Sequence, residues 1–242
     1  MVSPEKIRET LRTYGKLIVV ACIITLFVGT HVLFSEENIF STSSMSNMGK
    51  PLKIVVFDLD ETLGSFVELG MFCDALEHIQ GRRIPLAHFF EIIDLFPEFL
   101  RPNILKILRY LRDKKKTKQC GQIMIYTNNQ GPRSWAEKIS AYFDHKVGAN
   151  LFDHIIAAFK VRGQVVEMCR TSHDKSVEDL IRCTRVPGNT EICFLDDQYH
   201  PLMEHNNVYY INVKPYSHSM DFSAMAARYF DKFGADIPQS EF

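Results

Sequence analysis

The strand-like run Lys53-Ile54-Val55-Val56-Phe57 leads straight into Asp58-Leu59-Asp60-Glu61-Thr62, setting two carboxylates one residue apart at a strand exit. In open α/β sheets, ligands bind in the crevice beyond the carboxyl ends of the strands. There, one aspartate side chain and one neighbouring carbonyl can reach the same hard cation, and the second side chain is left to move a proton. Oxygen-only ligation suits magnesium, Mg2+, which takes a few protein oxygens and keeps water or phosphate for the rest of its shell. Two aspartates after a strand could also cap a turn. A second acidic strand end, Ile192-Cys193-Phe194-Leu195-Asp196-Asp197, argues for the cation.

Asp58-Leu59-Asp60-Glu61-Thr62 matches the pattern DxDx[TV] completely, and on it the chain resembles the haloacid-dehalogenase-like (HAD) superfamily. The resemblance continues along the chain. Ile123-Met124-Ile125-Tyr126-Thr127-Asn128-Asn129 is similar to that family's second motif, a strand ending in Ser or Thr. Lys175, ahead of Val177-Glu178-Asp179-Leu180-Ile181, fits the third, a cation near a helix start, with Lys160 and Arg170 as alternatives. Residues 192–197 fit the fourth.

The resemblance implies a Rossmann-like three-layer α/β sandwich with a mainly parallel central sheet, and hydrolysis of phosphomonoesters through an aspartyl-phosphate. Asp58 would attack phosphorus, splitting the reaction into two easier displacements. Asp60 would protonate the leaving oxygen and later deprotonate water. Thr127 and the Asn128 amide would hold phosphate oxygens, and Lys175 would neutralise both Asp58 and the transferring group. Asp196 and Asp197 would complete the magnesium shell begun by Asp58 and Asp60. The rival readings are a catalytically inactive binding module of the same fold and a phosphotransferase.

Residues 63–100 leave room only for a small helical flap, with helices expected around Glu68–Gln80 and Leu86–Leu95; residues 128–174 hold an expected helix and strand, so no large cap fits. This layout, the sequence Asp58-Leu59-Asp60-Glu61-Thr62-Leu63, and Arg101-Pro102 before the second motif resemble the NLI-interacting-factor-like, or polymerase C-terminal-domain-phosphatase-like, branch. The chain departs from that branch after the fourth motif, where Gln198-Tyr199-His200-Pro201 replaces a Ser-Pro pair. The implied substrate is a phosphoprotein or a small phosphomonoester. The resemblance covers about Leu52 to Pro215.

The elements that must position these residues alternate along the chain as in a parallel α/β sheet. Strands are expected at Leu52–Phe57, Gln122–Tyr126, Ile155–Phe159, Glu191–Leu195 and Val208–Val213. Ile104, Leu105, Leu108 and Leu111 share one helical face, and Trp135, Ile139, Tyr142 and Phe143 share another, in a helix placed at Ser134–Phe143. Both stripes read as core. Lys114, Lys115, Lys116 and Lys118 follow a helix, where cations suit the dipole.

A chain of 242 residues, 46% hydrophobic and 24% charged, has enough apolar residues for an ordinary core. Its formal net charge of -1 supplies no field to draw it onto nucleic acid, so no nucleic-acid partner is expected. The six cysteines show no CxxC pair, which argues against a zinc site or a disulfide framework, and Cys193 reads as a buried thiol. His145, His154, His173, His200, His205 and His218 have no metal-binding spacing and read as surface or locally bonded side chains.

Three segments follow from these patterns: residues 1–34, a basic stretch and apolar run; 35–50, a flexible Ser-rich tether; and 51–242, the phosphohydrolase domain. Leu17–Phe34 carries no charged residue and as a helix would be about 27 Å long, enough to span a bilayer. Lys6, Arg8, Arg12 and Lys16 before it and Glu36 and Glu37 after it would hold the N-terminus in the cytosol. The expectation is a single-pass membrane protein when translation starts at Met1, and a cytoplasmic or nuclear form when it starts at Met45 or Met48. Unpatterned cysteines suit the reducing side.

Overall fold

In the computed structural model, which describes residues 51–234, alternate residues of the central strands enter opposite cores. In β1 (Lys53–Phe57), Val55 and Phe57 face one side while Ile54 and Val56 face the other. β2 (Gln122–Tyr126) and β6 (Glu191–Asp196) divide in the same way, as the period-two geometry of a strand demands. Strands buried on both faces are the mark of a parallel sheet covered by helices.

The sheet has five parallel strands in the order β3-β2-β1-β6-β7, with β3 at His154–Ile156 and β7 at Val208–Asn212. The larger core takes α1 (Val67–Gln80), α2 (Leu86–Leu95), α3 (Ile104–Lys116), α4 (Arg133–Val147) and α6 (Phe222–Phe233). The smaller takes α5 (Val177–Thr184) with Val177 and Leu180. This is the expected Rossmann-like three-layer sandwich. The chain builds outward from β1 through β2 to β3, then returns to the other side of β1 for β6. The winding therefore reverses between β1 and β6, and a crevice opens there at their carboxyl ends.

The small helical insert is α1, α2 and a single 3-10 turn at Pro97–Phe99, held to the core by Phe72, Leu76, Phe89, Ile92, Phe96 and Phe99. α6 was not foreseen. Asp221 caps it, accepting from the Ser223 and Ala224 amides, and its Met225-Ala226 and Tyr229-Phe230 stripe seals the same core.

The third strand ends at Ile156 rather than Phe159 because side chains capture the backbone beyond it. The Ala157 N–H donates to Glu167 Oε2 at 3.1 Å, and the Ala157 carbonyl accepts from Arg170 Nη1 at 2.9 Å. The chain then turns through a short hairpin, β4 (Lys160–Val161) and β5 (Gln164–Val165), with Arg162 and Gly163 both at positive φ.

Cysteine pairing also needs correction. Cys169 and Cys183 form a disulfide, because the chain after β5 doubles back along α5 and brings their Cα atoms to 5.0 Å. The argument from unpaired thiols to a reducing compartment loses force accordingly. Cys73, Cys120 and Cys193 are free and buried. The apolar run 17–34 and the tether 35–50 lie outside the described residues. Among the described residues no helix is long and apolar enough to cross a membrane, and the single-pass expectation rests on 17–34, outside them.

Candidate active site

Asp58 and Asp196 leave neighbouring strands side by side. β1 and β6 pair in register through Phe57 and Leu195, and the Asp58 amide continues the ladder to the Leu195 carbonyl at 2.8 Å. Carboxylate oxygens of Asp58, Asp196 and Asp197 all lie within 4.8 Å of one another, and all three residues are buried. Lys175 Nζ sits between two of them, 2.5 Å from Asp58 Oδ1 and 2.6 Å from Asp196 Oδ2. Its side chain is itself buried, with the ammonium near the rings of Tyr126 and Phe194. Of the three candidate cations, Lys175 alone touches the aspartates. Lys160 lies over the Phe159 ring on the hairpin, and the partners of Arg170 are carbonyl oxygens.

The turn that carries Asp60 is held in an unusual shape. Glu61 has a φ of 58°, and its N–H donates to the Gly64 carbonyl. A Cβ on Gly64 would come within 2.5 Å of the Phe99 carbonyl, so that position accepts only glycine. Buried Arg101 pins the turn, donating from Nε to Thr62 O at 2.5 Å and from Nη2 to Glu61 O at 2.5 Å and Lys214 O at 2.8 Å. Thr62 ties the first acidic strand end to the second: its Oγ1 donates to Asp197 Oδ1 at 3.0 Å and accepts the Asp197 N–H at 3.2 Å.

The loop after β2 reaches the same place. Thr127 is buried, its N–H donates to Ile156 O, and its hydroxyl oxygen accepts the Asn129 N–H at 3.0 Å. Asn129 Nδ2 then donates to Asp60 Oδ2 at 2.6 Å. The other oxygen, Asp60 Oδ1, is buried without a hydrogen-bond partner among the described residues. Asn128 Oδ1 accepts from Arg170 Nη1 at 2.8 Å.

Crowding of acids away from water governs the protonation states. Burial pushes the Asp58 carboxyl up to about 7, against the pull of the Lys175 ammonium. Burial also raises Asp60, opposed first by the Asn129 hydrogen bond. For Asp196 burial works upward too, but His200 and Lys175 outweigh it and hold that carboxyl below the usual range. His200 Nε2 lies 3.3 Å from Asp196 Oδ2, so of the two readings, surface or locally bonded, this histidine takes the second, at the edge of the site.

No protein-family model matches the chain, and no curated protein matches it. The fold brings Asp58, Lys175, Asp196 and Asp197 together at the switch point of the sheet, and Asn129 ties Asp60 to the Thr127 loop; the Asn128 amide oxygen is taken by Arg170 instead. The donor set fits a hard divalent cation: three buried carboxylates converge, and one lysine offsets only part of their charge. Sequence reasoning passed over Asn129, Thr62 and His200. Asn129 stood next to two assigned residues and Thr62 closes the pattern DxDx[TV], and those were their signals; nothing in the spacing of His200 singled it out.

Proposed function

We propose that this chain is a phosphomonoester hydrolase of the HAD kind, acting on a phosphoprotein or a small phosphomonoester. The observation that supports it most is Lys175 Nζ lying between Asp58 and Asp196 in a buried crevice. A carboxylate attacks an anionic phosphoryl group only where positive charge offsets the repulsion, and a lysine touching the attacking oxygen supplies part of it. Held by the carboxylates of Asp58, Asp196 and Asp197 and by the Asp60 carbonyl, magnesium would supply further charge neutralisation.

In this reading Asp58 forms a bond to phosphorus as the bond from phosphorus to the leaving oxygen breaks. Asp60, kept protonated more readily by burial, gives its proton to that oxygen. The resulting carboxylate then takes a proton from the water that cleaves the aspartyl-phosphate, which regenerates both aspartates. Asn129 aims Asp60 by fixing one carboxylate oxygen, leaving the other for the proton. The Thr127 hydroxyl, whose oxygen already accepts one bond, keeps its own proton for a phosphate oxygen.

The decisive experiment is phosphate release by the purified chain from a panel of phosphomonoesters and phosphopeptides, with and without magnesium. Release that depends on magnesium and is lost in Asp58→Asn supports the reading. Absence of release from every member of the panel, by a protein shown to be folded, removes it.

A further inference from the structure

Arg170 is more than nine-tenths buried and among the described residues makes no ion pair; its acceptors there are all uncharged oxygens. Nη1 donates to Thr127 O at 3.2 Å, Asn128 Oδ1 at 2.8 Å and Ala157 O at 2.9 Å, and Nη2 donates to His173 O at 2.9 Å and Asp174 O at 3.3 Å. Nε is buried with no hydrogen-bond partner among the described residues. The guanidinium lies over the Tyr126 ring at 4.9 Å, and the Tyr126 hydroxyl accepts the N–H of Ser176 beside Lys175. One planar group thus joins the loop that ends in Thr127 and Asn128 to the loop that delivers Lys175.

Burying a cation without a counter-charge is costly, and an arrangement of this kind is stabilised when an anion binds nearby. Two ties fix Arg170 itself. On one side Cys169 is bonded to Cys183 at the end of α5. On the other, Thr171 donates from its N–H and hydroxyl to buried Asp179 of the same helix. Lys175 immediately precedes that helix, so α5 is a common platform for the arginine and the lysine.

We propose that Arg170, pinned by the Cys169–Cys183 disulfide, is a positioning residue for phosphate binding: it sets the Thr127–Asn128 loop and Lys175 at the spacing one phosphate dianion requires. Its charge also favours that dianion. The proposal rests on the phosphatase reading but concerns the binding step, so the two can fail separately. Arg170 reaches the aspartates that would hold magnesium only through Lys175, so magnesium binding without phosphate moves less than phosphate binding does. Lysine in its place restores charge but not the planar fork that bonds both loops.

The test uses the full chain loaded with magnesium and measures inorganic phosphate binding by calorimetry, together with kcat, KM and the magnesium affinity in the absence of phosphate. Arg170→Met is expected to weaken phosphate binding at least about tenfold and to lower kcat/KM about a hundredfold, the scale of an ångström-sized misplacement, with magnesium affinity in the absence of phosphate changed less than phosphate affinity. Arg170→Lys recovers part of the phosphate binding but little of kcat. Cys183→Ser, or reduction of the disulfide by a dithiol that is itself oxidised to a disulfide, gives a smaller loss of both. Unchanged phosphate affinity in Arg170→Lys and Arg170→Met overturns the proposal, as does a magnesium affinity, measured without phosphate, that falls as far as phosphate affinity does. Wild-type protein that binds phosphate but hydrolyses nothing overturns the phosphatase reading instead.

Discussion

Replacing Lys175 by Met keeps the aliphatic stem against Tyr126 and Phe194 and removes only the charge, so the change in stability reports electrostatics rather than a cavity. The ammonium contacts Asp58 and Asp196, whose side chains are 11% and 0% exposed, too dry for water to take its place. Breaking a buried pair by removing one partner costs about 3–5 kcal/mol, and that is the loss expected near pH 8 in the absence of divalent cations. The loss must shrink with falling pH. In the wild type, Asp58 is raised from 3.8 to about 7, so its contribution to stability declines as pH rises through that window. Without Lys175 it rises further, and the decline extends to higher pH. Asp196, held low in the wild type, stabilises the fold above its ordinary value; without Lys175 that contribution is lost or reversed. Both changes penalise the variant at high pH, and each proton retained widens the gap by up to about 1.4 kcal/mol per pH unit. Urea unfolding in EDTA, followed through the single tryptophan, Trp135, which packs on Phe89, measures the gap at about pH 5 and pH 8. Added magnesium should recover part of the loss at pH 8. A gap of equal size at both pH values, or one under about 1 kcal/mol at pH 8, refutes the reasoning.

Asp58→Asn is isosteric and a far weaker nucleophile, so phosphate release should vanish while the circular-dichroism spectrum stays intact; turnover near wild type would remove Asp58 from the mechanism. EDTA should stop activity and magnesium restore it, with Asp196→Ala needing more magnesium than wild type, as read from titrations of rate against free metal. Indifference to the chelator would exclude the metal assignment. Asn129→Ala removes the donor that steadies the charged form of Asp60, so the carboxyl rises further and the alkaline limb of the kcat/KM profile should move to higher pH. A limb that stays in place, or moves to lower pH, would show that Asp60 does not set it.

The alternation of Ile54, Val55, Val56 and Phe57 with no polar break announced a strand buried on both faces, and that is local information. α2 was legible to the residue for a related reason: Pro85 fixes its entry, and Phe89, Ile92 and Ile93 mark one face. The third strand was overcalled because Ala157, Ala158 and Phe159 have strand-compatible side chains. What ended the strand was Glu167 and Arg170 taking the backbone of Ala157, ten and thirteen residues onward, which no window along the chain reports. α6 carried a readable cap at Asp221 and a readable stripe, but it lay past the last motif and went unread.

The candidate site divides along the same line. Asp58, Asp60 and Asp196 are visible because a strand exit is a fixed place in a parallel sheet, and an acidic residue there has few structural duties. Lys175 is preferred in the sequence for its place ahead of a helix, but what decides between it, Lys160 and Arg170 is which loop crosses the carboxyl end of β1. The disulfide to Cys183 and the bonds of Thr171 to Asp179 decide it by laying residues 169–171 along α5, which turns Arg170 toward carbonyls and Lys175 toward the aspartates. Motif spacing finds groups that must touch a ligand. The groups that hold those groups in place are selected by three-dimensional reach, so Asn129, Arg101 and Arg170 emerge only once the chain is folded.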